Sequence, residues 1–323
     1  MNYELLRMLA DGEFHSGVAL GARLNLTRAA IWKNIAQLEA AGIGVESVKG
    51  RGYRLSDPIN MLEKVVDREK MAKGCGFALR DFLVLDSVDS TNTHLKEYSR
   101  DLPMGCFDVC VSEEQTGGRG RRGREWISPF AKNLYVSISC RLPGGFSSLS
   151  GLSLGLGAAT AESIKQVAQV DVGLKWPNDV WIQDKKVAGI LVDVEGENNG
   201  PVLVVAGIGI NVFMSDGEGG EIGQPWTTLE KESHVTLDRN VLLLSLINTV
   251  MLTIGRFVEG GFGSIRQYWD KYDCLVGKAV TLHGFQAPIE GVYKGVDGGG
   301  NMIMDVSGGE KVYSAGEISV RLS

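Results

Sequence analysis

Gln115-Thr116-Gly117-Gly118-Arg119-Gly120-Arg121-Arg122-Gly123-Arg124 packs four glycines and four arginines into its last eight residues, so it is not a helix. Glycines let backbone N–H groups converge on an anion, and guanidinium forks bind carboxylate or phosphate oxygens bidentately. The stretch therefore reads as a loop for a nucleotide phosphate or an acyl phosphate. An arginine- and glycine-rich nucleic-acid tail and a flexible linker are the plainer readings. The flanks weigh against both: a strand-like run at 107–111 leads in, and Trp126 followed by 133–140 resumes ordered sheet. The expected arrangement is an enclosed, mobile loop set in an α/β or α+β sheet domain that starts near residue 80.

Working outward, residues 82–85 read as a strand that runs into Asp86-Ser87-Val88-Asp89-Ser90-Thr91-Asn92. This cluster of small hydroxyl and amide side chains precedes a helix-like segment at 93–98, and by itself such a cluster is usually a helix cap. On the other side stands Lys175-Trp176-Pro177-Asn178-Asp179, leading into Val180-Trp181-Ile182, a turn at Asp184-Lys185, and Lys186 opening a strand over 187–194. That hairpin would let a rigid sheet aim the Lys186 ammonium at a negative centre, with Asn178 and Asp179 orienting a ribose or a hydrated Mg2+. The plainer readings are a solvated lysine and an aspartate paired with a neighbouring base. Residues 202–210 form a further buried-looking strand ending in Asn211.

The first sixty residues have another character. Leu5, Leu6 and Leu9 have helical spacing before the Asp11-Gly12 turn; Ser16 can cap a second helix with Val18, Leu20 and Leu24 as its apolar set, broken at Asn25. Thr27 then caps a third helix in which Ile31, Ile35 and Leu38 make a buried stripe, ending at Gly42, while Arg28, Trp32, Lys33 and Gln37 face outward. Two helices joined by a tight turn, with basic residues near the start of the second, suit a major-groove reader. Strand-like runs at 45–48 and 53–55 around Lys49-Gly50-Arg51-Gly52 supply a wing whose Lys49, Arg51 and Arg54 can neutralise phosphates. The alternative is a small helical module for dimerisation or protein contact. Ser56-Asp57-Pro58 reads as the exit linker.

With these motifs in order, the chain resembles the bifunctional biotin protein ligases that double as biotin-operon repressors. The resemblance runs from Arg23–Ile35 through GRGRRGREW, KWPNDV, KVAGILV and GIGINV to Gly316-Glu317-Ile318-Ser319. It implies a multidomain α+β fold: a winged helix-turn-helix at 1–58, a central mixed α/β ligase domain of the biotin/lipoate ligase type at 65–270, and an SH3-like β-barrel at 271–323. It implies biotin contacts at Ser90, Thr91, Asn92, Gln115, Arg119, Gly120, Arg121 and Lys186, with Lys186 and Arg121 as the catalytic pair. Nucleotide contacts are implied at Arg121, Arg124, Asn178, Asp179, Asn211 and Trp226, the last as a wall for adenine. DNA contacts are implied at Thr27, Arg28, Trp32, Lys33, Lys49 and Arg51. Asn34 departs from the family, which often has His there, and this bears on the operator sequence and not on the fold.

The implied chemistry uses biotin, ATP and Mg2+, makes biotinoyl-5'-AMP, and passes biotin to a lysine of the biotin carboxyl carrier protein. The implied regulation is an adenylate-bound homodimer on operator DNA. Two other readings remain open here: a sensor that binds biotin without transferring it, and a lipoate-ligase-like enzyme for another acyl group.

Composition sets the outer limits. A chain of 323 residues suggests two or three domains at roughly 150 residues each, and 44% hydrophobic with 22% charged residues is ordinary globular usage. The net charge of -6 argues against a protein that coats nucleic acid over its whole surface. Residues 1–56 nevertheless carry seven Lys or Arg against five Asp or Glu. The amino terminus lacks a signal-peptide pattern, and the apolar uncharged run at 241–255 is shorter than the roughly 20 residues of a membrane span, so a cytoplasmic protein without membrane attachment is expected. Five cysteines with no CxxC pair and four scattered histidines predict free thiols and no structural zinc.

Overall fold

Three short polar side chains start the three helices of the first unit in the computed structural model, which describes residues 1–40, 42–63, 71–220, 222–316 and 318–322. Asn2, Ser16 and Thr27 accept N–H groups of Leu5, Ala19 and Ala30 at 3.0, 3.1 and 3.2 Å, opening α1 (Tyr3–Leu9), α2 (Gly17–Leu24) and α3 (Arg28–Ala40). Asn25, in the left-handed conformation, ends α2. Leu5, Leu6, Leu9, Leu20, Ile31, Ile35 and Leu38 are buried, as their spacing predicts, and Leu55 is buried as well, while Leu24 is only partly covered. Val18 does not follow that expectation: it is 75% exposed, because Leu20 and Gly21 occupy the inward side of α2. Strands β1 (Val45–Val48) and β2 (Gly52–Leu55) pair antiparallel as the wing. This unit spans residues 1–62 and the second spans 63–323.

The second unit is organised by a seven-stranded sheet. In chain order its elements are β3 (Ala78–Leu85), α4 (Thr91–Tyr98), β4 (Cys106–Ser112), β5 (Leu134–Leu142), α5 (Leu152–Ala168), β6 (Gly173–Lys175), β7 (Asp179–Ile182), β8 (Lys185–Gly196) and β9 (Val202–Ile210), and the strands lie in the order β3-β4-β5-β9-β8-β7-β6. Only β3 and β4 run parallel; every other neighbouring pair is antiparallel. Two positions shift from the sequence reading. Helix α4 starts at Thr91, with Ser90 in the N-cap position but making no side-chain cap bond, and the β7–β8 turn falls on Gln183 and Asp184, both at positive φ, one residue earlier than expected.

Helices α6 (Leu229–Glu232), α7 (Arg239–Gly260) and α8 (Arg266–Tyr272) follow β9. Helix α7 packs along α5 and against β5, which closes one face of the sheet. Its 22 residues exceed the uncharged run counted in sequence and make it long and apolar enough to cross a membrane; half of it is buried within this fold. At its start Arg239 is fully buried. It donates to Asn133 O at 2.9 Å and to the Glu113 carboxylate at 2.7 Å, tying the end of β4 to the beginning of β5.

The opposite face is covered by α4, whose Leu95 packs with Leu102, Leu203 and Val205. Two and four residues beyond Val205 on the same side of β9 come Gly207 and Gly209, where the covering stops. The remaining strands, β10 (Ala279–His283), β11 (Ile289–Val296), β12 (Met302–Val306), β13 (Gly309–Tyr313) and β14 (Ser319–Leu322), form an antiparallel sheet in the order β13-β12-β11-β10-β14. No pairing closes its end strands into a ring among the described residues. Glu317 of the carboxy-terminal motif and the boundary expected at residue 65 lie outside the described residues.

Candidate functional site

The uncovered part of the sheet is a floor without side chains. Gly189 on β8 sits opposite Gly209 on β9, and Gly207 is two residues along. A Cβ on Gly209 would lie 2.4 Å from the Trp126 ring, and one on Gly207 2.4 Å from Asn92 Oδ1, so the indole and the amide rest directly on backbone. Above this floor is a cavity that brings together all eight expected biotin residues, Ser90, Thr91, Asn92, Gln115, Arg119, Gly120, Arg121 and Lys186.

The polar end of that cavity is pre-ordered. Thr91 donates from its N–H and its hydroxyl to Gln115 Oε1 at 2.9 and 3.1 Å, and Gln115 donates onward to Ser128 Oγ at 3.1 Å. Ser137 Oγ lies 2.8 Å from Thr91 Oγ1 and 2.6 Å from Asn92 Oδ1, and Asn92 Nδ2 donates to Asp193 at 3.1 Å. Ser90, Thr91 and Asn92 are all buried. Such a connected network fixes donors and acceptors before any ligand arrives.

The glycine–arginine loop closes on itself as a turn over residues 121–123, with Gly120 N–H donating to Arg124 O at 2.7 Å and Trp126 N–H to Gly118 O at 2.9 Å. Its arginines point different ways. Arg121 donates to Asn178 Oδ1 at 3.1 Å, to Gly316 O at 2.8 Å and to Ala315 O, and burial lowers its pKa against the pull of Asp179. Arg119 turns outward to Thr93 Oγ1 at 2.8 Å and Asp193 at 3.7 Å.

A second, larger cavity of about 1050 Å3 adjoins the first and contains the expected nucleotide residues Arg121, Arg124, Asn178, Asp179, Asn211 and Trp226. Its lining carries six Lys or Arg (Arg121, Arg122, Arg124, Lys175, Lys186, Arg321) against Glu125, Asp179 and Asp184, a surplus of three positive charges. Lys186 Nζ pairs with Asp179 Oδ1 at 2.7 Å and stands 5.2 Å over the Trp126 ring. A β-bulge aims it there: the β7–β8 register shifts between Val180 and Trp181, which brings Lys186 onto the face of Gly189. The Asn178 amide donates to Ile190 O at 2.9 Å, and that of Asn211 to Thr227 O at 3.2 Å. Trp226 lies beside Lys186 in a parallel bridge and packs on Gly219, so the glycine-rich stretch before it folds onto the indole.

Of the expected DNA-binding residues, Arg28, Trp32, Lys33, Lys49 and Arg51 are exposed on the first unit, and Thr27 caps α3. Arg51 and Arg54 stand 4.0 and 4.8 Å from the Phe14 ring, and Arg54 is tied to Glu46 at 2.8 Å.

Residues 84–211 match the Biotin/lipoate A/B protein ligase family, and residues 3–54 match an HTH domain. The bifunctional ligase/repressor BirA of Salmonella typhimurium is 39% identical over 98% of this chain and 96% of its own length, and the Escherichia coli protein of that name is 38% identical over the same shares. The chain belongs to the bifunctional biotin protein ligases. Among solved structures, the biotin protein ligase of Aquifex aeolicus in complex with biotin and ATP superposes with a TM-score of 0.65 at 31% identity, covering 76% of this chain and all of that one.

In this biotin protein ligase, sequence reasoning missed Trp126 as a cavity wall, Ser137 as the centre of the polar network, the glycine floor, and Lys175 and Trp181 in the second cavity. The floor had a signal: Gly207-Ile208-Gly209-Ile210 alternates with the period of a strand, which puts both glycines on one side. Ser137 had none, since its partners come from α4, remote in sequence.

Proposed function

We propose that this protein activates biotin with ATP, transfers it to a lysine of a biotin carboxyl carrier protein, and represses transcription through its winged helix-turn-helix. The observation that carries the ligase reading is that the two cavities share Arg121, Asn178 and Lys186. A carboxylate reaching out of the first cavity meets an α-phosphate in the second at the Lys186 ammonium. In the first step a biotin carboxylate oxygen bonds to the α-phosphorus, the bond to the bridging oxygen breaks, and pyrophosphate leaves with that electron pair. Lys186 and Arg121 offset the negative charge that builds up. In the second step the neutral carrier amine attacks the acyl carbon, the bond from that carbon to the phosphate oxygen breaks, AMP leaves with that electron pair, and the nitrogen gives a proton to solvent to become the amide.

The roles follow from position. Ser90, Thr91, Asn92 and Gln115 hold the polar ring of biotin, the glycine floor and Trp126 its apolar body, and Gly120, Arg119 and Arg121 the loop above it. Arg124, Asn178, Asp179, Asn211 and Trp226 bind the nucleotide. Mg2+ enters with ATP in this reading, and Asp179 with Asn178 suits a cation held mainly by phosphate and water. Bound there, it would neutralise phosphate charge.

The ligase domain in this reading is 65–270, followed by the carboxy-terminal domain at 271–323, with the DNA-binding module at 1–58. Arg28, Trp32 and Lys33 on α3 face the major groove, the α3 cap Thr27 lies beside the backbone, and Lys49 and Arg51 contact flanking phosphates. The adenylate-bound form pairs as a homodimer, matching a two-fold operator, and the protein works in the cytoplasm. The test is to incubate the chain with biotin, MgATP and a biotin carboxyl carrier domain, beside Lys186→Ala. Biotin on the carrier with the wild type alone supports the ligase; biotin binding without transfer by a folded wild type favours a sensor.

A further inference from the structure

Resting on that reading and deepening it, we propose that Lys175 binds the β- and γ-phosphates of ATP and holds the pyrophosphate as it leaves. Lys175 ends β6 directly opposite Asp179 in the β6–β7 register and lines the nucleotide cavity. Its ammonium is a half-buried cation without an anion. The nearest carboxylate in sequence and register, that of Asp179, is taken by Lys186 at 2.7 Å, and no ion pair or hydrogen bond engages Lys175 Nζ among the described residues. What holds it is the face of Trp181, 4.5 Å from the ammonium to the ring centroid. An aromatic face orients a cation without neutralising it, so the charge remains available to a ligand.

A charge kept in this way has a cost. Burial pushes the Lys175 pKa down, Asp179 pulls it back up, and the positive charges of Lys186 and Arg124 push it down again. A polyanion in the cavity reverses that balance, since it supplies the missing counter-charge to a site that already carries a surplus of cations. The division of labour follows from placement. Lys186 lies where both cavities meet, next to the reacting carboxylate and α-phosphorus; Lys175 lines only the nucleotide cavity. Of the parts of ATP, the β- and γ-phosphates lie beyond the α-phosphorus from biotin and carry most of the charge. Lys175 therefore acts on the first half-reaction and has no part in acyl transfer, after pyrophosphate has gone.

The experiment compares wild type, Lys175→Met and Lys175→Arg in three measurements: single-turnover formation of biotinoyl-5'-AMP, transfer from chemically prepared biotinoyl-5'-AMP to the carrier domain, and inhibition of adenylation by added pyrophosphate. Lys175→Met is expected to slow adenylation about 100-fold, the scale of removing one charge-stabilising donor. It is also expected to raise the pyrophosphate concentration needed for inhibition by about tenfold, while transfer stays within about twofold of wild type. Lys175→Arg, which keeps the charge, is expected to recover most of the loss. Adenylation by Lys175→Met at the wild-type rate, or an equal fall in both half-reactions, overturns the assignment while leaving the ligase reading in place. A folded wild type that forms no adenylate overturns the ligase reading and this assignment with it.

Discussion

Lys186 Nζ and Asp179 Oδ1 are 2.7 Å apart, with both side chains 14% exposed, at the point where the two cavities join. A lysine paired this way is fixed in place by a partner that an incoming carboxylate and phosphate can outcompete, because they bring more negative charge to the same spot. Lys186→Ala is expected to lower biotin-dependent ATP–pyrophosphate exchange about 100- to 1,000-fold, with biotin affinity changed much less. Lys186→Arg should remain poor, since a planar fork does not replace a compact ammonium beside the Trp126 ring. Exchange at the wild-type rate in Lys186→Ala would remove this lysine from the mechanism.

The glycine floor predicts a size effect. Ala at 209 would press on the Trp126 ring from 2.4 Å, and Ala at 207 on the Asn92 amide from 2.4 Å. Both substitutions are expected to weaken biotin binding at least about fivefold, as overpacking of a tight site costs roughly 1–3 kcal/mol. Gly263→Ala, where a Cβ meets nothing within 4 Å, is the control. Titration calorimetry with biotin separates the two, and unchanged affinity in both floor variants would mean that the ligand does not lie on this face.

The parts of this fold legible in sequence are those whose cause is local. Caps at Ser16 and Thr27, the apolar stripe of α3, the wing around Gly50 and the β7–β8 hairpin all rest on residues within a few positions of one another. The loop arginines were legible as a group but not singly. Arg119 and Arg121 are two residues apart and reach Thr93 and Asn178, partners that only the folded sheet supplies. The bulge that turns Lys186 onto the face of Gly189 is a property of strand pairing, so the lysine could be chosen from the motif but not aimed.

Ser137 is the test of how far that long-range assembly matters. Its hydroxyl lies 2.8 Å from Thr91 Oγ1 and 2.6 Å from Asn92 Oδ1 in a fully buried setting and has one proton to give, so removing it leaves a buried acceptor without a donor. Ser137→Ala should reduce stability by about 1–3 kcal/mol in urea denaturation and weaken biotin binding. A variant with wild-type values of both would show that Gln115 alone orders the cluster.

In the winged unit Arg51 stands over Phe14 at 4.0 Å, which holds the wing arginine by its flat face and leaves its edges for phosphate. Arg51→Ala is expected to lower the slope of log affinity against log salt by about one for a duplex of arbitrary sequence, because one phosphate contact is lost. Phe14→Ala should weaken binding by about 0.5–1 kcal/mol with the slope nearly unchanged. Equal slopes for wild type and Arg51→Ala would place the wing off the DNA.

The buried thiols make the last prediction, one of pH. Cys110 and Cys140 are fully buried in β4 and β5, and burial pushes both up to about 12 from the value near 9 of a thiol in an unfolded chain. Between those limits the unfolded chain releases protons that the folded chain keeps, so stability is fully present below about 9 and is lost as pH rises toward about 12. Each thiol accounts for roughly 1.4 kcal/mol per pH unit in that window, or about 2 kcal/mol at pH 10.5. Tyrosines with raised pKa values, Tyr135 among them, add to the fall with the same sign, so the thiol share is read by difference. Urea unfolding at pH 8 and pH 10.5 should show a smaller drop for a Cys110→Ala, Cys140→Ala variant than for wild type, by several kcal/mol at most. The comparison cancels the cavity cost of the substitutions, which is present at both pH values. Equal drops would mean that the two thiols ionise in the folded sheet as readily as in the open chain, and that the β4–β5 core admits water.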